Sequence, residues 1–311
     1  MNTIEISDFS DLPCGENTNQ EAFLAPVEDG IEYNILSENK NLEYIDYLNL
    51  SKVIEILGEF FDVNASAIAK ENALCAAALG SSSEDAFCKI LENDPISITN
   101  STIGFSKDVT SEIAKQLISM NIKNVIASQF RKDALEILLN NRQINVIQVA
   151  SPLQELLGFI AKDIKVTPFG YLIQEQNLSK LSKSSFKVKG KIKPTQEQAE
   201  DAIFAWKIVK HTKTKSAVIA KDLATKAIVQ GNTNGIDIVE AAMDIACETS
   251  KDAVLAVDGV IENEEVINAA IQGRIGLIIE ACDSSASQKI TKLADKYNLS
   301  LIATGIRNYR Y

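Results

Sequence analysis

The sequence predicts an α/β protein built from two related subdomains, and three observations lead to that prediction. The first is an internal repeat: 66–80 (SAIAKENALCAAALG) and 217–231 (AVIAKDLATKAIVQG) each carry an apolar strand that ends in Ile-Ala-Lys before an acidic residue. The second is a strand–helix–strand pattern after each copy, at 124–150 and at 276–304. The third is the helical spacing of apolar residues in three further segments, 46–60, 82–93 and 108–119. Together they predict mixed sheets flanked by helices.

The start of the second subdomain is marked by a helix signal. Thr195 and Gln198 have the spacing of a capping box, with Pro194 just ahead, so we predict a helix that runs to about His211. The residues before it, 179–193, are rich in lysine. They could form a nucleic-acid-binding arm, a solvated linker or an edge hairpin, and the acidic remainder of the chain favours the linker.

These signals predict three regions along the chain. Residues 1–178 form the first α/β subdomain with an N-terminal segment, 179–193 form the Lys-rich linker, and 194–311 form the second subdomain. Cys75 lies in the first region. We expect its side chain to be a small buried apolar group at the start of a helix.

Composition excludes several classes of function. The chain has 311 residues and a formal net charge of −11, so its surface as a whole repels nucleic acid and anionic membranes. The acidic N-terminus lacks the apolar core of a signal peptide, and no apolar stretch is long enough to span a membrane. Five cysteines without a CxxC motif fit a reducing compartment. We predict a soluble cytoplasmic protein with no nucleic-acid or membrane partner.

His211 is the one histidine in the chain, which excludes His-rich zinc sites and relays of several histidines. No metal site is therefore predicted. Lys210 and His211 together could be a displaced catalytic pair, or two cations that the dipole at a helix C-terminus favours. We favour the second interpretation.

Several segments resemble, in the same order, motifs of the AICAR transformylase domain of the bifunctional purine-biosynthesis enzyme PurH. They are LPCGENTNQEAF (12–23), LEYIDYLNLSKVIEIL (42–57), AIAKENALCA (67–76), NDPIS (93–97), VIASQFRKDALEIL (125–138), FGYLIQEQ (169–176), DAIFAWKIVKHTKTKSAVIAKD (201–222) and LIATGIRNYRY (301–311). The resemblance leaves out the cyclohydrolase domain, so we expect a stand-alone homologue. It implies two cytidine-deaminase-like α/β subdomains and an intertwined homodimer.

The resemblance places Lys70 and Glu71 at the positions of the family's catalytic lysine and histidine. Formyl transfer from 10-formyltetrahydrofolate to the amine of AICAR needs a base for the amine proton and a cation near the developing oxyanion. A glutamate is a weak base unless burial raises its pKa from the ordinary value of about 4.3. The pair could be a salt bridge, or an electrophilic cation beside an unusual base.

Other family positions carry over one at a time. Lys215 replaces the asparagine that guides formyl transfer, and Pro13 replaces an arginine that contacts the substrate phosphate. The remaining candidates for substrate binding are Gly15, Asn17, Gly231, Asn232, Asp258 and Arg307.

Framework positions of the family are retained in this sequence, whereas most site positions are replaced. Two hypotheses follow. Under the first, the chain is a non-catalytic paralogue, that is, a pseudoenzyme, and its candidate ligand is a purine-precursor nucleotide. Under the second, it is a divergent formyltransferase that uses Lys70, Glu71 and 10-formyltetrahydrofolate. We predict the first, because the loss of the base and of two phosphate-binding arginines removes several kcal/mol of transition-state stabilisation.

Overall fold

The computed structural model describes residues 8–27, 30–38, 42–93, 98–158, 162–281 and 288–311. The chain divides into two compact units. Unit 1 comprises Met1–Ala73, Ser81–Glu84 and Ile96–Leu178; unit 2 comprises Leu74–Gly80, Asp85–Pro95 and Ser179–Tyr311. The predicted motif at 93–97 and the segment 282–287 fall partly or wholly outside the described residues.

The first half of the chain alternates strands and helices. In order, its elements are β1 (Ser10–Leu12), β2 (Ala22–Leu24), β3 (Tyr33–Ile35), α1 (Tyr44–Glu59), β4 (Asn64–Lys70), β5 (Ala73–Gly80), α2 (Ser83–Asn93), β6 (Thr102–Val109), α3 (Ser111–Ser119), β7 (Asn124–Phe130), α4 (Lys132–Leu139), β8 (Asn145–Val149), β9 (Lys162–Thr167) and β10 (Gly170–Glu175). The predicted helices at 46–60, 82–93 and 108–119 are thereby confirmed as α1, α2 and α3.

The second half repeats this alternation. Its elements are β11 (Lys187–Lys189), α5 (Gln196–Val209), β12 (Ser216–Lys221), β13 (Ala224–Gln230), α6 (Gly235–Ala246), β14 (Val254–Val257), α7 (Glu264–Gln272), β15 (Leu277–Glu280), α8 (Gln288–Lys296) and β16 (Ser300–Ala303). The predicted capping box opens α5: Thr195 Oγ1 accepts from the Gln198 amide at 3.2 Å, and Gln198 Oε1 accepts from the Thr195 amide at 3.1 Å.

Unit 1 is built on a mixed sheet in which the strand order is β4-β6-β7-β8-β3. The strands β6, β7 and β8 are parallel, while β4 and β3 pair antiparallel with β6 and β8. Helix α1 packs closely on β6 because Gly104 has no side chain; a Cβ atom there would overlap Val53, which is fully buried. The core of unit 1 therefore depends on a close helix–strand approach at Gly104.

Unit 2 is built on a mixed sheet with the strand order β11-β16-β15-β14-β12-β13-β5. Here β14, β15 and β16 are parallel and the other pairings are antiparallel. Residues 74–80 belong to this unit although they lie within the range predicted for the first subdomain, because the Leu79 amide donates to the Leu223 carbonyl at 2.8 Å. Cys75 lies in β5, so the expected helix start there was wrong: the apolar run continues as a strand.

The two units have equivalent strand orders, since β4-β6-β7-β8-β3 in one corresponds to β12-β14-β15-β16-β11 in the other. A tight turn follows the repeated Ile-Ala-Lys in each copy. Glu71 and Asn72 have φ of 52° and 57°, and Asp222 and Leu223 have φ of 57° and 56°. Two successive residues with positive φ are typical of a type I′ hairpin turn. The cytidine-deaminase-like nature of the units stays a prediction.

A buried side chain from the preceding helix supports each turn. Asn49 of α1 accepts from the Asn72 amide at 2.8 Å. Asp201 of α5 accepts from the amides of Asp222 at 3.1 Å and Leu223 at 2.7 Å. Burial raises the pKa of Asp201, and the two amides oppose that shift by stabilising its carboxylate.

Unit 1 also contains a buried polar network at the start of α1. Asp46, which is 1 % exposed, accepts from Asn124 Nδ2 at 2.8 Å and forms an ion pair with Lys123 at 3.0 Å. Asn124 in turn accepts from Asn145 Nδ2 at 2.8 Å. These bonds connect α1 to the first residues of β7 and β8, so the network fixes how the helix sits on the sheet.

The segment predicted as a Lys-rich linker contributes to the sheet of unit 2. Its residues Lys187–Lys189 form β11, which pairs antiparallel with β16. Within the described ranges, the structure contains no helix long and apolar enough to cross a bilayer.

Candidate functional site

Unit 2 contains a cavity of about 180 Å³ beyond the end of β14. Its wall is formed by the loop that follows β14, the N-termini of α6 and α7, and the segments that contain Lys215 and Tyr309. The polar residues that line it include Lys215, Asn234, Asp258, Asn263 and Tyr309. Two of the predicted site residues, Lys215 and Asp258, therefore lie in one cavity.

Backbone hydrogen bonds bring three predicted residues together beside this cavity. The Lys215 amide donates to the Asn232 carbonyl at 2.9 Å, and the Gly231 amide donates to the Lys215 carbonyl at 3.0 Å. Gly231 has φ of 81°, a conformation that favours glycine. The positive φ thus explains why residue 231 is a glycine, and the hydrogen bond from Gly231 helps to hold Lys215 at the cavity wall.

Asp258 comes directly after β14 and is 3 % exposed. Its amide donates to the Ser216 carbonyl at 3.3 Å, and its own carbonyl accepts from the Asn308 amide at 3.0 Å. Burial raises the pKa of Asp258, while hydrogen bonds from Thr214 and Ser216 and the charge of Lys215 oppose that shift. Within the described part of the chain, Asp258 Oδ2 has no hydrogen-bond partner. A buried carboxylate oxygen of this kind can bind a donor group of a ligand.

Two helix N-termini meet the cavity, and sequence reasoning missed both. Asn234 caps α6, because its Oδ1 accepts from the Ile236 amide at 3.0 Å. Asn263 caps α7, because its Oδ1 accepts from the Glu265 amide at 2.9 Å. An asparagine just before an apolar helical pattern is a recognisable signal for both caps. The positive ends of the two helices and Lys215 therefore lie in the same cavity wall as the carboxyl groups of Asp258 and Glu262.

The C-terminal segment completes the cavity. Tyr309 faces Gly259, where any Cβ atom would overlap the tyrosine ring. The guanidinium of the predicted residue Arg307 lies 5.8 Å from the centre of that ring, in a cation–π contact. Burial raises the pKa of Tyr309, and the charge of Asp258 raises it further. Arg307 itself is exposed, so its side chain is accessible from solvent beside the cavity.

The predicted catalytic pair lies in unit 1. Lys70 ends β4, and its Nζ donates to the carbonyl of Thr99 at 3.0 Å. Glu71 is exposed in the tight turn. Among the described residues, the ion pairs of unit 1 do not include one between Lys70 and Glu71, so the salt-bridge interpretation is not supported.

Gly15 and Asn17, the predicted residues near the N-terminus, shape the connection between β1 and β2. The Gly15 amide donates to the Gln20 carbonyl at 2.9 Å, and the Asn17 amide donates to Gln20 Oε1 at 2.8 Å. These bonds give the two residues a local role in the loop.

Lys210 and His211 lie at the C-terminal end of α5, where the sequence placed them, and each is 7 % exposed. Lys210 Nζ donates to the Ser179 carbonyl at 3.3 Å. Neither residue is part of the cavity wall. In the part of the chain that the structure describes, no group of three or more His, Cys, Asp or Glu side chains could hold a metal ion.

The sequence of this chain is similar to those of known purine-biosynthesis proteins. "Bifunctional purine biosynthesis protein PurH" of Caldicellulosiruptor bescii is 34% identical over 315 residues, which cover 99% of this chain and 60% of the relative. The protein of the same name from Aquifex aeolicus is 33% identical over 307 residues, which cover 96% of this chain and 59% of the relative. The chain thus spans about 60% of the length of these relatives.

One solved structure, described as Acinetobacter baumannii RibD, form 2, matches with 13% identity and a TM-score of 0.26, over 82% of this chain and 72% of that one. A score this low assigns no fold. By contrast, the model of the family described as AICARFT/IMPCHase bienzyme matches residues 1–245, which is most of the chain. The chain therefore belongs to the AICARFT/IMPCHase bienzyme family.

Proposed function

We propose that the chain is an AICAR-transformylase-like protein of purine biosynthesis that has little or no formyl-transfer activity. Membership of the family and the name shared by its relatives support the metabolic context. The residues at the family's site positions support the loss of activity. In this proposal, unit 2 retains a cavity for a ligand related to the purine precursor, while the groups that perform the chemistry are replaced.

The observation that carries this proposal is the arrangement of Lys70 and Glu71. The Lys70 ammonium already donates to the Thr99 carbonyl, which occupies one of its three donor positions. Glu71 is exposed, and a solvated carboxylate is a weak base near neutral pH. A general base contributes about 10²–10⁴-fold to a rate. The position that the family uses for its base is therefore occupied by a group poorly suited to that task.

A second candidate function, a divergent formyltransferase, is favoured by the cavity of unit 2. Lys215 and the N-termini of α6 and α7 would attract an anionic group there. Asp258 Oδ2, which has no hydrogen-bond partner among the described residues, would accept a hydrogen bond from a bound ring or amine. In that case 10-formyltetrahydrofolate would be the formyl donor, and Lys70 and Glu71 would be the electrophilic cation and the base.

An assay of formyl transfer separates the two candidates. We expect the purified chain to transfer formyl groups from 10-formyltetrahydrofolate to AICAR at least about a hundred-fold more slowly than an intact PurH protein assayed beside it, because the general base is missing. The Glu71→Gln variant should be as slow as the unmodified chain. Turnover close to that of the intact protein, abolished in Glu71→Gln, would establish the second candidate.

We also propose that the chain pairs with a second copy through the hairpin of β9 and β10. This two-stranded sheet exposes Val166, Tyr171 and Ile173 at 77%, 66% and 55%, and the pairing of Tyr171 with Val166 and of Ile173 with Ile164 places these side chains on one face. A two-stranded hairpin is marginally stable by itself, and a contiguous apolar patch of this kind marks an interaction surface. Because the family resemblance implies intertwined dimers, we propose that the partner at this surface is a second copy of the chain.

Light scattering coupled to size-exclusion chromatography tests the pairing. We expect a mass of about twice the 33.9 kDa of one chain at micromolar concentration. Replacing Tyr171 and Ile173 together with serine should shift the mass toward one chain, because it removes apolar area from one face of the hairpin. Leu139→Ser, the same kind of substitution at an exposed position of α4, is the control and should leave the dimer intact. A monomer mass for the unmodified chain would refute the pairing.

A further inference from the structure

Glu280, at the end of β15, is a buried carboxyl group that the proposed chemistry does not use. Its exposed fraction is 0%. Glutamate is almost never fully buried unless it is paired with a cation, because removing a charge from water is costly. In the described part of the chain, no ion pair involves Glu280, and its Oε1 has no hydrogen-bond partner. Such a group requires an explanation.

The other carboxyl oxygen of Glu280 holds the loop that lines the cavity. Oε2 accepts from the Ile261 amide at 2.6 Å, and the adjacent Ala281 amide donates to the Gly259 carbonyl at 2.9 Å. Both Gly259 and Ile261 line the cavity. Two hydrogen bonds thus attach the loop at residues 259–261 to the end of β15, one through the backbone and one through the side chain.

The backbone of Glu280 is fixed independently of its side chain. Its carbonyl accepts from the amide of Thr304 at 2.9 Å and from the hydroxyl of the same residue at 3.0 Å. Glu280 is therefore anchored to the segment after β16 and extends its carboxyl group from that anchor to the cavity loop. A change at the carboxyl group acts on the loop and leaves the anchor in place.

We propose that Glu280 is a positioning residue whose protonated carboxyl group holds residues 259–261 in place, and whose ionisation loosens this wall of the cavity. The inference rests on the proposed function only in treating the cavity as the ligand site. A neutral carboxyl group can keep its proton on Oε1 while Oε2 accepts from Ile261. A carboxylate instead carries charge on a buried oxygen for which the described residues supply no donor, and it gains stability if the loop opens to water.

The surroundings of Glu280 support this assignment. Burial raises its pKa to about 7, and the Ile261 amide and the charge of Lys189 oppose that shift. Lys189, on β11, is the charged group that acts on Glu280. The cavity loop contributes the uncharged amide of Ile261 to the carboxyl group, whereas the hydroxyl of Thr304 donates to the backbone carbonyl of Glu280. Protonation of Glu280 therefore changes in the neutral pH range.

The sign of the effect on stability follows from this shift. The folded chain keeps the proton of Glu280 up to a higher pH than the unfolded chain, whose carboxyl titrates near 4.5. The contribution of Glu280 to stability is therefore greatest below pH 4.5 and is lost as the pH rises to about 7. A shift of this size changes the folding equilibrium on the order of a hundred-fold.

Hydrogen exchange of the full chain, without ligand, tests the proposal. We would measure protection of peptides that cover 258–263 between about pH 5.5 and 8.5, corrected for the intrinsic pH dependence of exchange. The protection should fall by about ten-fold around pH 7 in the unmodified chain. Glu280→Gln, which cannot ionise, should show no step. Lys189→Met removes an attraction for the carboxylate and should move the step to higher pH.

Glu240→Gln is the matched control, because it removes an exposed charge from α6, outside both the loop and the cavity wall, and leaves Glu280 unchanged. It should keep the step. A step that persists in Glu280→Gln, or no step in the unmodified chain, would overturn the proposal. If Glu280→Gln does not fold, the unmodified chain and Lys189→Met decide the outcome. Because no ligand is used, this result is independent of whether the chain binds AICAR or transfers formyl groups.

Discussion

Replacing Asp46 with alanine is expected to destabilise unit 1 by about 1–3 kcal/mol, because the change removes a buried acceptor from the network at the start of α1. Asp46 accepts from Asn124 Nδ2 at 2.8 Å and pairs with Lys123 at 3.0 Å. It also accepts from the Glu43 amide at 2.8 Å, at the start of α1. One truncation therefore removes an acceptor from three donors, of which Lys123 keeps Glu43 at 2.6 Å and Asn124 Nδ2 keeps Thr102 at 2.9 Å.

Urea unfolding monitored by circular dichroism measures this effect as a change in the free energy of unfolding. Asp62→Ala, which removes the same charge from an exposed position in unit 1, is the control and should change stability by no more than about 0.5 kcal/mol. Asp46→Asn keeps an acceptor for Asn124 and should fall between the two. A loss below about 1 kcal/mol in Asp46→Ala would show that the network contributes little.

The second large effect concerns binding of AICAR, which should be weaker than in an intact family member by about two to four orders of magnitude. The family resemblance implies three arginine contacts to the substrate phosphate. Arg307 remains, Pro13 replaces the second, and the stretch around Gly231 and Asn232 has no arginine where the family has the third. A charge-assisted hydrogen bond contributes about 1.5–3 kcal/mol, so the loss of two such contacts accounts for the expected range. Lys215 supplies a positive charge in the cavity, but a flexible ammonium does not replace a bidentate guanidinium.

Calorimetric titration of the full chain with AICAR measures this affinity. Arg274→Ala is a suitable control, because Arg274 is an exposed arginine that pairs with Glu248 away from the cavity wall. Micromolar or tighter binding that is lost in Arg307→Ala and kept in Arg274→Ala would contradict the expectation. It would also favour the divergent formyltransferase over the non-catalytic protein.

Local signals in the sequence predicted the elements of the fold well. Apolar spacing gave α1, α2 and α3, and the pair Thr195 and Gln198 gave the start of α5, because capping and periodicity depend on neighbouring residues alone. The repeated Ile-Ala-Lys correctly marked the ends of β4 and β12. The turn conformation after each lysine was not predicted, since Glu71 and Leu223 are unusual residues for positive φ.

Features that arise from distant parts of the chain could not be read in this way. Cys75 was expected in a helix because an apolar run has no intrinsic preference between a buried strand and a buried helix. The grouping of β5 with unit 2 depends on hydrogen bonds to residues about 150 positions away, such as that between the Ala77 amide and Thr225 at 3.0 Å. Burial of Asp258 and Glu280 is a property of packing, so local patterns could not indicate that Asp258 Oδ2 and Glu280 Oε1 would lack a partner among the described residues.

The lysines of β11 have a consequence for how the molecules behave at high concentration. This strand ends the strand order of unit 2, and the final strand of a sheet offers backbone groups to which another chain can add. It is only three residues long and carries Lys187 and Lys189, whose charges repel the same strand of a neighbouring molecule. Acetylation of these amines would remove that repulsion, so colloidal solubility would depend on the modification state of this strand.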